Sequence, residues 1–209
     1  MNIEFIQLGV CGANCYMVSD EDYAFVIDPA AVNAQLCEFA ERNADKKYKY
    51  ILLTHCHYDH IGGVKHLQEI FKAPVVIGKD DKRGLNDINI NLSMFLDGKA
   101  FTLTPDITAE DNDRLELGHE KYISVIATPG HTAGSVCYKL NNAIFTGDTL
   151  FMQNCGRVDF PTGNSTEMLK SLKKLADISG EYDIFPGHDR PTTLDFERKY
   201  NPYIKKLTV

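Results

Sequence analysis

Residues 54–63 read Thr54-His55-Cys56-His57-Tyr58-Asp59-His60-Ile61-Gly62-Gly63 and follow the apolar run Tyr50–Leu53. That run is aromatic and β-branched, so it reads as a strand, and the histidines fall in the loop at its end. Three imidazoles and one carboxylate within six residues are ill suited to a core, because each needs a hydrogen-bonding partner once buried. They suit one or two divalent cations, since neutral imidazole and carboxylate are ordinary ligands of zinc, iron and manganese.

Working outward, three further fragments share this build. Tyr122–Ala127 leads into Thr128-Pro129-Gly130-His131-Thr132, Ala143–Phe145 into Thr146-Gly147-Asp148-Thr149, and Asp183–Phe185 into Pro186-Gly187-His188-Asp189. Each is a short apolar strand, a glycine-containing turn and one metal-competent side chain, and glycine lets the backbone turn sharply beside an ion. The pattern predicts one site built from His55, His57, Asp59, His60, His131, Asp148 and His188. It uses five of the seven histidines. His66, near a helix start, and His119, in a charged turn, read as surface residues.

Ala24–Ile27, running into Asp28-Pro29, together with Val75–Ile77 and Val136–Leu140, also read as strands. Ala34–Arg42 and Thr166–Ile178 have helical periodicity. In the second, Met168, Leu169, Leu172, Leu175 and Ala176 share a face opposite Lys170, Lys173 and Lys174, with Ser165 or Thr166 as the cap. Strands and helices mix over 1–209 without repeat or linker, the pattern of one α/β domain. Residues 83–113, rich in Asn, Asp, Thr and Ser, read as a long loop, either a surface excursion or a substrate cover. The charged segment Glu197–Pro202 reads as a solvated surface.

The chain has 209 residues, 44% apolar and 24% charged, with a formal charge of −7, a globular composition. Its acidity argues against nucleic acid or an anionic membrane as partner. Met-Asn-Ile-Glu-Phe at the start is no signal peptide, and no apolar run approaches the roughly 20 residues a membrane span needs. A cytoplasmic location is therefore expected. The six cysteines fit it, being scattered without a Cys-x-x-Cys pair.

His-x-His-x-Asp-His at 55–60, Pro-Gly-His at 129–131, Gly-Asp at 147–148 and Pro-Gly-His at 186–188, in this order, resemble the metallo-β-lactamase-fold hydrolases. The resemblance runs from Asp28 to Pro202, and Asp59-His60 is similar to the glyoxalase II-like (hydroxyacylglutathione hydrolase-like) branch. It implies a four-layer αββα sandwich with the site along the edge where two sheets meet. It also implies a division of the donors: His55, His57 and His131 on one metal, Asp59, His60 and His188 on a second, and Asp148 bridging both. Two divalent ions, zinc foremost with iron or manganese as alternatives, would share a hydroxide that attacks a small thioester. No side-chain nucleophile is needed, and Asp59 or Asp148 could accept a proton during collapse.

Three neighbouring residues carry two readings each, or one with a rival. Cys56, by strand alternation, points away from the site and packs. Asp28 either orients a ligand imidazole or simply marks an Asp-Pro turn. Arg157 binds a substrate carboxylate or pairs with Asp159. Persulfide dioxygenases resemble the chain as well, in His-Cys-His and in Cys155–Phe160, which implies the alternative of one iron on His57, His131 and Asp148. The longer glyoxalase II relatives carry an added helical domain that contacts glutathione, whereas this sequence continues only 21 residues past His188. A compact relative fits another small thiol's ester as well.

Overall fold

The structure is a computed structural model and describes residues 1–207. In chain order, β1 (Asn2–Leu8), β2 (Ala13–Ser19) and β3 (Tyr23–Ile27) precede α1 (Ala34–Arg42). Then β4 (Lys47–Leu52) leads to the helices α2 (Tyr58–Ile61) and α3 (Val64–Phe71), followed by β5 (Val75–Gly78), α4 (Ser93–Asp97) and β6 (Ile107–Ala109). The second half holds β7 (Arg114–Gly118), β8 (Lys121–Ala127), β9 (Val136–Leu140), β10 (Ala143–Gly147), β11 (Leu150–Phe151) and β12 (Asn154–Cys155). It closes with α5 (Ser165–Ala176), β13 (Asp183–Pro186), β14 (Thr192–Thr193), α6 (Leu194–Tyr200) and α7 (Pro202–Lys205).

The strands form two six-stranded sheets, β1-β2-β3-β4-β5-β6 and β14-β13-β10-β9-β8-β7. Strand alternation then divides the apolar residues among three cores. Ala24, Val26, Ile51, Leu53, Val75 and Ile77 face Leu36, Phe39, Leu67 and Phe71 of α1 and α3. Their neighbours Tyr23, Phe25, Ile27, Leu52 and Val76 face the opposite way, onto Leu115, Ile123, Val125, Tyr138 and Phe145 of the second sheet. Cys137, Ile144 and Ile184 leave that sheet's other side to meet Met168, Leu172, Leu175, Leu194 and Ile204 of α5–α7. Helix, sheet, sheet and helix are thus stacked in four layers, the αββα sandwich expected.

Parallel pairing positions the site. β3, β4 and β5 run parallel in one sheet, and β10 and β13 in the other. Their carboxyl ends therefore open along a common edge.

The structure corrects three expectations. Residues 83–113 are not a plain loop: they contain α4 and β6, and they bury Leu85, Leu92 and Leu103. The Asn91 carbonyl accepts from the Tyr58 amide at 2.8 Å, so this segment seats the start of α2. The α5 cap is Asn164, whose side chain accepts from the Thr166 and Glu167 amides. Glu197 and Asn201 are buried rather than solvated. The Glu197 carboxylate accepts from the Gln153 amide, the Thr192 hydroxyl and the Asn201 amide group at 2.8–2.9 Å, because α6 and α7 fold back over β12 and β14.

Candidate metal centre

His55 and His57 follow β4, and Asp59 and His60 occupy the first turn of α2. His131 follows β8, Asp148 follows β10 and His188 follows β13. Glycines permit the closest approaches. A Cβ on Gly187 would collide with the Asp148 carboxylate, and one on Gly147, at φ +47°, would collide with the Thr54 side chain.

The seven residues predicted from the sequence are brought together. Donor atoms of His55, His57 and His131 lie within 4.8 Å of one another, and so do those of Asp59, His60 and His188. Asp148 stands between the two triads. Its Oδ2 is 3.4 Å from His131 Nε2 and 3.6 Å from His188 Nε2, and its Oδ1 is 3.5 Å from His60 Nε2.

Surrounding hydrogen bonds choose which ring nitrogen faces inward. Thr54 gives its hydroxyl proton to Asp28 Oδ2 (2.6 Å), so at 3.1 Å His55 Nδ1 must be the donor to Thr54. His60 Nδ1 lies 3.0 Å from Asp28 Oδ2, and His131 Nδ1 lies 2.7 Å from the Arg157 carbonyl. All three rings therefore turn Nε2 toward the centre. Asp28 also lies near His55 and His60 in a third candidate group. Its oxygens are committed to Thr54 and His60, so it orients donors instead of adding one.

Two observations test whether cations fit. His57 Nδ1 and His131 Nε2 are only 2.8 Å apart, and His60 Nε2 and His188 Nε2 3.3 Å. Each contact brings two ring nitrogens of one triad together, as shared coordination of a cation would require. His55 Nε2 and Asp148 Oδ1 are buried without a hydrogen-bond partner among the described residues, a state that native interiors rarely tolerate. Charge gives the same answer. Burial and the neighbouring imidazoles depress His55 and His57 far below an ordinary imidazole, so both are neutral donors. Burial opposes charge on His60 too, but the Asp148, Asp59 and Asp28 carboxylates outweigh it and push His60 up to about 10. Burial likewise works against the Asp59 carboxylate, yet His60 and His188 hold it well below its usual range. This acidic, imidazole-lined pocket calls for positive charge, and the residues fit divalent metal.

Around the donors, Cys56 is buried in the core beneath α2 and packs against Gly84, pointing away as alternation predicts. Arg157 meets the site through its backbone carbonyl. Its guanidinium is paired twice with Asp159 at 2.6 Å and lies 3.9 Å from the Phe160 ring centre. His66 and His119 are exposed. The sequence reading missed Asn14, Tyr16 and Asp81, buried residues that hold the donor loops. Asn14 alone left a trace, as a polar residue within the apolar run Ala13–Ser19. Cys11 is exposed beside Asp59, where burial and that carboxylate raise its thiol pKa. The described cysteines form no disulfide, and no described helix is long and apolar enough to cross a membrane.

Known proteins resemble the chain in sequence and in fold. A protein of Aquifex aeolicus is 33% identical over 99% of both chains. The probable metallo-hydrolase YqgX of Bacillus subtilis is 30% identical over 98% of both, as is the hydroxyacylglutathione hydrolase GloC of Haemophilus influenzae. Among solved structures, the BLEG-1 B3 metallo-beta-lactamase superposes with a TM-score of 0.89 at 32% identity, covering 97% of this chain and 99% of its own. The di-iron-bound form of TTHA1623 gives 0.83 at 29% identity, with 96% and 99% covered. ETHE1 from Myxococcus xanthus gives 0.77 at 28%, with 97% and 84% covered. The family model matches residues 8–188, a span that starts at the end of β1 and takes in every donor through His188. With the fold, the order of the donor turns and this match in agreement, the chain belongs to the metallo-beta-lactamase superfamily.

Proposed function

We propose that the protein is a two-metal hydrolase of small thioesters, of the glyoxalase II-like kind. The observation that carries this reading is the pair of donor triads with Asp148 between them. His55, His57 and His131 would hold one ion, Asp59, His60 and His188 the other, and the two oxygens of Asp148 would serve both. Zinc suits the mixed nitrogen and oxygen donors, and iron or manganese suits them as well. When bound, such a pair supplies an activated water and a Lewis acid for the developing oxyanion. The protein's own groups do the rest. Asp28, Thr54 and the Arg157 carbonyl orient the imidazoles, and Asp59 or Asp148 would accept a proton as the thiolate leaves. Arg157 would meet a substrate carboxylate by giving up Asp159. The similarity to GloC supports the thioester as substrate.

A second reading, an oxygen-dependent persulfide oxidation on one iron, is supported by the likeness to ETHE1. It would need only His57, His131 and Asp148, leaving the second triad idle, and so ranks lower. Metal analysis of protein purified without added metal, with lactoyl-glutathione hydrolysis followed in air and under argon, separates the two. The hydrolase reading expects about two metals and equal rates. Oxygen uptake on glutathione persulfide with one iron per chain would replace it by the second.

A further inference from the structure

Two sets of hydrogen bonds cross between the sheets beside the donor loops, and each serves a different triad. The first starts on β2. The Asn14 amide donates to the Gly187 carbonyl at 2.7 Å, and its side-chain nitrogen donates to the carbonyls of Pro186 (2.9 Å) and Asp189 (2.8 Å). Tyr16 donates its hydroxyl to the same Pro186 carbonyl at 2.6 Å. The carbonyls on either side of His188 are thus gripped by two buried side chains of the opposite sheet. His188 itself keeps 24% of its side chain exposed, so packing alone does not immobilise the ring.

The second set centres on Asp81, just past β5 and also buried. Its Oδ2 accepts from the Cys56 amide at 2.9 Å, between His55 and His57, and from the Thr132 hydroxyl at 2.7 Å, next to His131. Its Oδ1 accepts from the Gly134 amide at 2.8 Å. One carboxylate thereby ties together the two loops that supply the first triad.

We propose that these braces are positioning devices with separate targets: Asn14 with Tyr16 sets the affinity of the Asp59–His60–His188 site, and Asp81 sets that of the His55–His57–His131 site. The inference rests on the two-metal reading. Partners that orient metal donors typically change metal affinity about 10–100-fold when removed, and the braces touch no donor atom, so their effect must pass through loop position.

The test is calorimetric titration of metal-free protein with Zn²⁺, comparing wild type with Tyr16→Phe, Asn14→Ser, Asp81→Asn and Thr132→Val, with His188→Ala marking the second site. Tyr16→Phe and Asn14→Ser should weaken the site that His188→Ala removes by about 10–100-fold and leave the other unchanged. Asp81→Asn and Thr132→Val should do the reverse. Circular dichroism of the metal-free proteins checks folding. If Asn14→Ser or Asp81→Asn fails to fold, the milder Tyr16→Phe and Thr132→Val decide. A wild type that binds two ions, with these variants weakening both sites alike or neither, overturns the inference alone. A wild type that binds a single ion at saturation overturns the two-metal reading and the inference with it.

Discussion

Asp28 Oδ2 lies 3.0 Å from His60 Nδ1, and the same oxygen takes the Thr54 hydroxyl at 2.6 Å. A single carboxylate oxygen thus fixes His60 directly and His55 through Thr54. Asp28 holds a left-handed backbone, φ 51°, which Asn also tolerates. Asp28→Asn should therefore fold while losing the charge that orients His60. Zinc affinity should fall about 10–100-fold, read by competition with a chromophoric chelator, and unchanged affinity would return Asp28 to the role of a turn residue.

Chelation should abolish thioester hydrolysis, and Zn²⁺, Mn²⁺ or Fe²⁺ should restore it, because the proposed chemistry uses no side-chain nucleophile. Full turnover by protein verified as metal-free would refute this.

Asp148 and His188 should differ in kind. A carboxylate has two oxygens to share, whereas an imidazole offers one nitrogen to the centre. His188→Ala should keep about one metal per chain, while Asp148→Ala should disturb both sites. Its activity loss should be the larger, on the order of the several kcal/mol that metal catalysis supplies. Metal content and turnover of the two variants measure this, and a fully active His188→Ala protein argues for a mononuclear centre.

Glu197 should be a stability residue remote from turnover. Glu197→Ala removes the acceptor of the Gln153 amide, the Thr192 hydroxyl and the buried Asn201 amide group, and losing a hydrogen bond to a charged group costs about 1.5–3 kcal/mol. Denaturant unfolding should show at least that loss. A change below about 0.5 kcal/mol, the size of an ordinary surface substitution, would mean that water replaces the carboxylate.

Acid titration should expose one surface contact. The Lys121 ammonium, 2.8 Å from Asp20, lowers that carboxyl from 3.8 to about 2. Because the folded value is depressed, the stabilisation is present above the unfolded value near 3.8 and is lost as pH falls through about 2. Carboxyl NMR should place the Asp20 midpoint near 2 in the wild type and move it upward in Lys121→Ala. An unmoved midpoint would assign the depression to other groups.

The candidate donors were legible in the sequence because each lies on a turn directly after an apolar strand, and local chemistry suffices to flag such a residue. β3, β4, β5 and β8–β10 were legible for the same reason. β2 was not, since Asn14 and Ser19 break up its apolar run and no donor-bearing turn follows it. Asp81 hides in the run Lys79-Asp80-Asp81-Lys82, which reads as a solvated turn until the second sheet covers it. Glu197 was misread likewise: its acceptors' partners, Gln153 and Thr192, are distant or unremarkable in sequence, and only the folding of α6 over β12 brings them together. Local pattern reveals a donor, whereas a brace is defined by its partner across the sandwich.

The donors also divide between the layers. His55, His57, Asp59 and His60 belong to the first sheet's loops, and His131, Asp148 and His188 to the second's. Cations held between them would act as a clasp on the open edge of the sandwich, joining residues far apart along the chain. Ligand that binds only the folded state adds about 2.7 kcal/mol at a free concentration of 100 Kd. Metal supply would then govern how long the protein survives proteolysis, and a starved chain would loosen first along that edge.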